Sequence, residues 1–201
     1  IRVMNNRGFN AAHHGLSAQP MFGGPVYFIG NLVYNVPFGG AIKTGGANPA
    51  GVLVYHNTFI AENADAVGIS NVHYRNNLFF GSNHPNKYLN RLESYTAYST
   101  SDYNGYRANK TDKPLLTWGV PKNGIRDYDK RPEFKEYYNL KDLSKDSGLE
   151  EHGIMVDLEV FEQMVLPDYT KPHVVYSPES VSFRLRAKSK AIDAGIALPN
   201  I

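Results

Sequence analysis

Three residues near the start of the chain have side chains that can transfer protons near neutral pH. His13 and His14 are adjacent, and Lys43 follows in a segment that contains little other charge. A histidine titrates close to neutral pH, and a lysine removed from water can lose its proton there as well. Lys43 is one of only four basic residues in residues 1–86, so a cation here is not part of a generally basic surface. His13, His14 and Lys43 are therefore candidates for acid–base chemistry.

A second set of side chains is suited to binding a substrate. Aromatic rings can stack on sugar rings, and arginine and histidine can hold carboxylates. Such residues alternate with apolar residues in short segments, which places them together on one face, and they are Tyr27, Tyr55, His73 and Arg75. A solvated outer face with ordinary surface side chains is the alternative interpretation.

An internal repeat determines which elements carry these residues. Four segments align when each is anchored on an asparagine, and a weaker fifth ends at Asn104. The segments are IRVMNN, VYFIGN, VLVYHN and VHYRNN, with anchors at Asn6, Asn31, Asn57 and Asn77. A period of 20 to 27 residues built from short elements is typical of a solenoid.

The repeated segments have the period-two pattern of β-strands. The position three before the anchor is occupied by Val3, Phe28, Val54 and Tyr74, and the intervening residues are more polar. Stacked anchor asparagines can donate to and accept from the amides above and below, as in cross-β ladders. Asparagine also tolerates the left-handed conformation that a sharp bend requires. The sequence therefore predicts a parallel β-solenoid with an asparagine ladder.

A further short strand is predicted about ten residues after each anchor. Leu16, Ile42 and Val67 align there as its inward-facing residues. This alignment places Ser17 and Lys43 on the outer face, with the two histidines just upstream on the neighbouring coil.

The two parts of the chain differ in composition. Residues 1–86 contain 12 of the 18 glycines and only six of the 40 charged residues. We predict solenoid coils over 1–106 and, in the same domain, a loop-rich and partly helical C-terminal cover over 107–201. A helix is expected at 140–147, ended by Gly148, and a second helical turn at 157–164, ended by Pro167.

The chain resembles the right-handed parallel β-helix proteins of the pectin-lyase-like superfamily. The resemblance is carried by the segments GNLVYN, YHNTFIAEN, RNNLFFGSN and TSDYNGY, and towards the end by FRLRAKSKAIDAG. It implies an all-β fold, a right-handed parallel β-helix. In that family the sheet after the paired strands commonly lines a saccharide groove. Its lyases use a lysine, arginine or histidine to remove the proton next to a uronate carboxylate. The resemblance therefore points to Lys43, His13 and His14.

Several other functions are disfavoured by composition. The chain lacks cysteine, which excludes thiol catalysis and cysteine-based zinc sites, and its net charge of +2 does not suggest a nucleic-acid partner. No apolar run is long enough to span a membrane. A hydrolase needs paired carboxylates, and the first 86 residues offer only Glu62 and Asp65. A calcium cofactor is conceivable, but no clear cluster of ligands accompanies Lys43.

The leading hypothesis is an extracellular or periplasmic polysaccharide lyase that acts on a uronate-containing glycan. Two alternatives remain open, a non-catalytic carbohydrate-binding or attachment module and a scaffold fragment of a longer protein. Because the chain begins in register with the repeat at Ile1, we expect it to be the C-terminal portion of a longer β-helix. An exposed solenoid end could also mediate association between chains.

Overall fold

The computed structural model describes residues 1–19, 23–44, 50–125, 127, 130, 132–199 and 201. Nearly all of its regular structure is β. The strands are β1 (Arg2–Met4), β2 (Arg7–Phe9), β3 (His14–Ala18), β4 (Val26–Ile29), β5 (Leu32–Tyr34), β6 (Gly40–Thr44), β7 (Val52–Tyr55), β8 (Thr58–Ile60), β9 (Ala64–Ile69), β10 (Val72–Arg75), β11 (Leu78–Phe80), β12 (Asn90–Ser94), β13 (Thr100–Asp102), β14 (Gly105–Arg107), β15 (Leu116–Gly119), β16 (Lys135–Tyr137), β17 (Ile154–Met155), β18 (Phe161–Gln163) and β19 (Ser182–Leu185). The α-helix is α1 (Leu140–Ser147).

Strands β1 to β17 form three sheets that wind into a parallel β-solenoid of about four turns, and β18 and β19 form a separate two-stranded sheet. Sheet A has the order β1-β4-β7-β10-β13, sheet B the order β17-β14-β11-β8-β5-β2, and sheet C the order β16-β15-β12-β9-β6-β3. All neighbours in the three sheets are parallel except β15 and β16. The first four strands of sheet A are the four aligned segments, and β13 is the weaker fifth. The predicted all-β solenoid is confirmed.

The core of the solenoid is built from the inward-facing residues of each strand. Phe28, Val54 and Tyr74 are wholly buried in sheet A, as the alignment predicts. In sheet B, Phe79 stacks between Phe59 and Tyr106, with ring centroids 5.6 and 5.2 Å apart. Each coil buries its apolar face only against the next, so packing and strand pairing stabilise the same arrangement.

The anchor asparagines form a hydrogen-bonded ladder between sheets A and B. The backbone N–H and the side-chain amide of Asn31 both donate to Oδ1 of Asn57, each at 2.9 Å. The same pair of bonds links Asn6 to Asn31, Asn57 to Asn77, and Asn77 to Asn104. At the last rung, Nδ2 of Asn104 donates to the buried Glu150 carboxylate at 2.8 Å. The predicted ladder is present and ends on a carboxylate.

The left-handed residue of each bend is not the anchor but the residue before it. Positive φ angles of 55 to 65° occur at all five equivalent positions, which are Asn5, Gly30, His56, Asn76 and Tyr103. The expectation that the anchor itself adopts this conformation was wrong. The two roles are separated because the bend needs a positive φ at one residue, while the ladder needs an inward amide at the next.

The C-terminal part packs mainly on the outer face of sheet B. Helix α1 occupies the predicted residues, and Gly148 ends it with a φ of 68°. The helical turn predicted at 157–164 is instead a 3-10 turn at Leu158–Val160 followed by β18, which pairs with β19. Phe161 is buried in a cluster beneath sheet B, and this tertiary packing outweighs the helical spacing of the segment.

Three strands of the predicted C-terminal cover extend the solenoid sheets. β15 and β16 add to sheet C, and β17 adds to sheet B. The segment 107–201 is therefore not only a cover, because part of it continues the coils. No helix in the part of the chain that the structure describes is long and apolar enough to cross a membrane.

Gly39 lies where two coils approach closely. A Cβ atom at Gly39 would be 1.3 Å from the His13 carbonyl oxygen, which also accepts the Gly40 N–H. We expect Gly39→Ala to lower the free energy of unfolding by about 3 kcal/mol, since the backbone of a neighbouring coil must move. Gly24→Ala is the control, because open space surrounds Gly24 in the described part of the chain. Urea denaturation of both variants measures the difference, and an equal effect would contradict the explanation.

Candidate functional site

A column of polar side chains runs along the outer face of sheet C. Strand register brings together Ser17, Lys43, Asp65, Arg91 and Thr117 as successive neighbours. The predicted partner of Ile42 was Val67, and this was wrong, because Ala64 occupies that position. The correction places Asp65 directly beside Lys43 on the adjacent strand, so the candidate cation has a carboxylate as its neighbour.

Among the carboxyl groups on this face, Asp65 has the pKa that is shifted furthest from its ordinary value. Its Oδ2 atom accepts a hydrogen bond from the Tyr88 hydroxyl at 2.9 Å, while Oδ1 is buried and has no hydrogen-bond partner among the described residues. Removal from water raises the pKa of Asp65 to about 7, although the Tyr88 hydrogen bond and the Arg91 charge act in the opposite direction. A carboxyl that titrates near neutral pH is suited to general acid–base work.

Arg91 lies next to Asp65 and interacts with groups on three sides. Its Nη2 donates to Glu93 at 3.0 Å, its guanidinium lies 4.6 Å from the Phe134 ring centre, and its charge opposes the rise in the pKa of Tyr88. The buried Nε of Arg91 has no partner among the described residues. Buried polar groups without partners are uncommon, and two of them on adjacent strands suggest that a ligand completes the site.

His14 begins β3, the edge strand of sheet C that pairs with the strand of Lys43, and His13 directly precedes it. The rings of His13 and His14 are 6.3 Å apart, and both side chains are exposed. Partial desolvation, reinforced by the positive charges of Lys43 and His13, lowers the pKa of His14. His14 is therefore mainly uncharged at pH 7 and can accept a proton. Lys43 is thus the direct neighbour of Asp65 in strand register, and the charges of Lys43 and His13 both act on His14.

Glu62 and Asp65 do not form a pair. Glu62 is buried in the bend before β9, where its Oε1 accepts hydrogen bonds from the backbone N–H and hydroxyl of Ser82 at 2.6 and 2.7 Å. The backbone N–H of His84 also donates to it, at 3.3 Å. These hydrogen bonds connect two successive bends, so Glu62 has a structural role that explains its burial.

The predicted substrate-binding residues lie on a different face. Tyr27 and His73 occupy one outward column of sheet A, and Tyr55 and Arg75 occupy the next. A cavity of about 530 Å³ on this face is lined by both tyrosines and is bordered by Leu198 and Ile201. These residues are therefore grouped as the repeat predicts, but on a sheet other than that of Lys43.

Three residues of the sheet C site were missed by sequence reasoning. Tyr88, Arg91 and Glu93 lie within the predicted coils, but the sequence alignment assigned no strand to them. Asn90, Leu92 and Ser94 are buried and alternate with Arg91 and Glu93, so a period-two pattern was present. Among the described residues, no three His, Asp or Glu side chains converge in a way that could hold a metal ion.

The fold places the chain among parallel β-solenoid proteins, and the candidate site is the column of polar side chains on the outer face of sheet C. Comparison of the chain with protein-family models, with curated proteins and with solved structures finds no match in any of the three.

Proposed function

We propose that this protein is a carbohydrate-active parallel β-helix protein, related to the pectin-lyase-like superfamily, that cleaves a uronate-containing polysaccharide by β-elimination. The observation that carries the proposal is the row of Lys43, Asp65 and Arg91 on one outer face, with a carboxyl of near-neutral pKa between two cations. An extended glycan can lie along such a column, and its acidic groups meet positive charge. An extracellular or periplasmic location follows from this choice of substrate and is part of the proposal.

The proposed reaction assigns a separate role to each group. Lys43 and Arg91 neutralise the uronate carboxylate and so acidify the proton on the adjacent carbon. Tyr88 takes up that proton while it passes its own to Asp65, through the hydrogen bond already present between them. The carbon–oxygen bond to the leaving sugar breaks as the ring double bond forms. The leaving oxygen takes a proton from solvent.

In this proposal Tyr88, coupled to Asp65, is favoured over His14 as the base. Burial raises the pKa of Tyr88, and the nearby Asp65 carboxyl adds to this effect, so Tyr88 stays protonated in the free protein. A proton relay to Asp65 avoids a free phenolate, and the Arg91 guanidinium stabilises the charge that develops on the Tyr88 oxygen. His14, whose pKa is lowered by desolvation and by the charges of Lys43 and His13, is the alternative base.

The test is a screen of the full chain against alginate, pectin, ulvan and glycosaminoglycans. Each cleavage by elimination leaves an unsaturated sugar that absorbs in the ultraviolet, so absorbance reports the reaction directly. Rising absorbance with one polymer supports the proposal. If no polymer yields product but one retards the protein in affinity electrophoresis, the protein is a non-catalytic binding module.

Lys43 gives the first variant to test on whichever polymer is cleaved. We expect Lys43→Ala to lower kcat/KM by about 100-fold, because one of the two charges on the uronate carboxylate is lost. Lys190→Ala removes an exposed lysine from the C-terminal segment and is expected to leave the rate unchanged. A Lys43→Ala variant with full activity would remove Lys43 from the mechanism.

A further inference from the structure

Four aromatic side chains form a ridge beside sheet C, where the chain bends from sheet B into sheet C. The ridge consists of two pairs, Phe38 with His173 and His84 with Tyr169, whose ring centroids are 5.4 and 5.7 Å apart. Phe38 is 50% exposed and Tyr169 is 41% exposed, so each pair presents an aromatic surface to solvent. Each pair joins a residue of a solenoid bend to a residue of the C-terminal segment.

The ridge is held in place by hydrogen bonds to the solenoid. Side-chain amides on two successive bends donate to backbone carbonyls of the C-terminal segment, Asn35 to Val174 at 3.2 Å and Asn10 to Tyr176 at 2.9 Å. The Tyr34 hydroxyl donates to the Val165 carbonyl at 2.7 Å. The exposed rings are therefore carried by a fixed backbone, which lowers the entropic cost of stacking on a ligand.

Lys87 links the two pairs to each other. Its ammonium group donates to the carbonyls of Pro37 and Gly39, on either side of Phe38, at 2.9 and 2.8 Å. Burial, together with the charge of Lys87, lowers the pKa of His84, so its ring is mainly uncharged at neutral pH and can stack as an apolar surface. The ridge therefore combines exposed aromatic faces, held in place by hydrogen bonds, with the positive charge of Lys87.

The strands that lead into the two pairs lie two positions apart in sheet B. Phe38 comes four residues after β5 and His84 four residues after β11, and these strands are separated by β8 alone. Two strand spacings correspond to about 9–10 Å along the solenoid axis. In a ribbon-like glycan every second ring presents the same face, with a repeat comparable to two strand spacings.

The ridge is also continuous with the polar column of sheet C. Phe38 precedes the strand that carries Lys43 by two residues, and its backbone N–H donates to Ala12, next to His13. His84 precedes Tyr88 by four residues. A glycan that follows the column would therefore have the ridge along one side.

We propose that the ridge is a binding site for pyranose rings of an acidic polysaccharide. In this site Phe38 and Tyr169 stack on two sugars that are separated by one further sugar. This inference takes its ligand class from the proposed function, but it does not require that the protein cleaves the glycan.

Affinity electrophoresis in gels that contain alginate, pectin, ulvan or a glycosaminoglycan tests the ridge separately from catalysis. We expect Phe38→Ala and Tyr169→Ala each to raise the dissociation constant for the retarding polymer by about 10-fold. Phe38→Tyr and Tyr169→Phe keep the aromatic faces and should bind as the unmodified protein does. Tyr98→Ala removes a tyrosine that is 67% exposed elsewhere on the surface and should leave binding unchanged.

The outcomes separate the two proposals. Weakened retardation in both alanine variants supports the ridge, even if no polymer gives an unsaturated product and the lyase proposal fails. Unchanged retardation in both alanine variants overturns the ridge, even if the polymer is cleaved. Absence of retardation of the unmodified protein by all four polymers also overturns it.

Discussion

Asp65→Asn is expected to reduce kcat on the cleaved polymer by at least about 100-fold while leaving the protein folded. An amide cannot take the proton that Tyr88 passes on, and the hydrogen bond from the Tyr88 hydroxyl to position 65 can be kept. The initial rate of ultraviolet absorbance increase measures the effect. Unchanged kcat would exclude Asp65 as the proton acceptor and would favour His14 as the base.

The same substitution has a predicted effect on stability whose sign depends on pH. The pKa of Asp65 is raised to about 7 in the folded state from its ordinary value near 3.8. The folded state therefore binds more protons between these values, so this group stabilises the fold fully below about pH 3.8 and loses its contribution as pH rises through 7. Asp65→Asn should accordingly be more stable than the unmodified protein at pH 8, by an amount on the order of a few kcal/mol.

Asp102→Asn is the control, because the pKa of Asp102 is lowered in the folded state whereas that of Asp65 is raised. Asp102 accepts hydrogen bonds from the backbone N–H and the ring Nδ1 of His152 at 2.8 and 2.9 Å, and these bonds lower its pKa despite partial burial. Its contribution to stability is present above its ordinary pKa and is lost as pH falls. Thermal unfolding from pH 4 to pH 8 should show a stability gain on the alkaline side for Asp65→Asn alone. Parallel profiles for the two variants would contradict the assignment.

The second large effect is expected at the centre of the asparagine ladder. Asn57 donates to Phe28 and Asn77 and accepts two hydrogen bonds from Asn31, all within the core. Asn57→Ala would leave the buried N–H of Asn31 and the carbonyl of Phe28 without these partners. We expect the free energy of unfolding to fall by about 3 kcal/mol or more.

Asn6→Ala is the matched control for this prediction. Asn6 occupies the same column and makes the same kind of bond to Asn31, but its side chain is exposed and water can replace its partners. Its loss should lower the free energy of unfolding by no more than about 1 kcal/mol. Urea denaturation compares the two variants. Equal losses at Asn6 and Asn57 would show that burial of the ladder contributes little.

The parts of the fold that repeat regularly were predictable from the sequence. The strands of sheet A end close to the anchor asparagine in every coil, so counting back from each anchor places Phe28 and Val54 on the inner face correctly. Helix α1 was predictable because Gly148 provides a local stop signal with a positive φ. These predictions depend on local spacing, and the structure preserves that spacing.

Sheet C was predictable only in part, because the bend that precedes it varies in length. Leu16 lies ten residues after its anchor and Ile42 eleven, but Ala64 lies only seven after Asn57. Counting ten residues therefore selected Val67 and concealed that Asp65 neighbours Lys43. The role of Tyr88 depends on its hydrogen bond to Asp65 on the neighbouring coil, which no local pattern encodes.

The ladder has a consequence for how such a protein can change in length. Every interior rung makes the same donor and acceptor contacts, so a duplicated coil with its own asparagine would fit between two existing coils without altering either neighbour. The Glu150 carboxylate is different, because it accepts from Asn104, Ser101 and Tyr106 and offers no amide of its own to continue the series. The number of coils is therefore free to vary by insertion on one side of Glu150, while that residue acts as a fixed terminator.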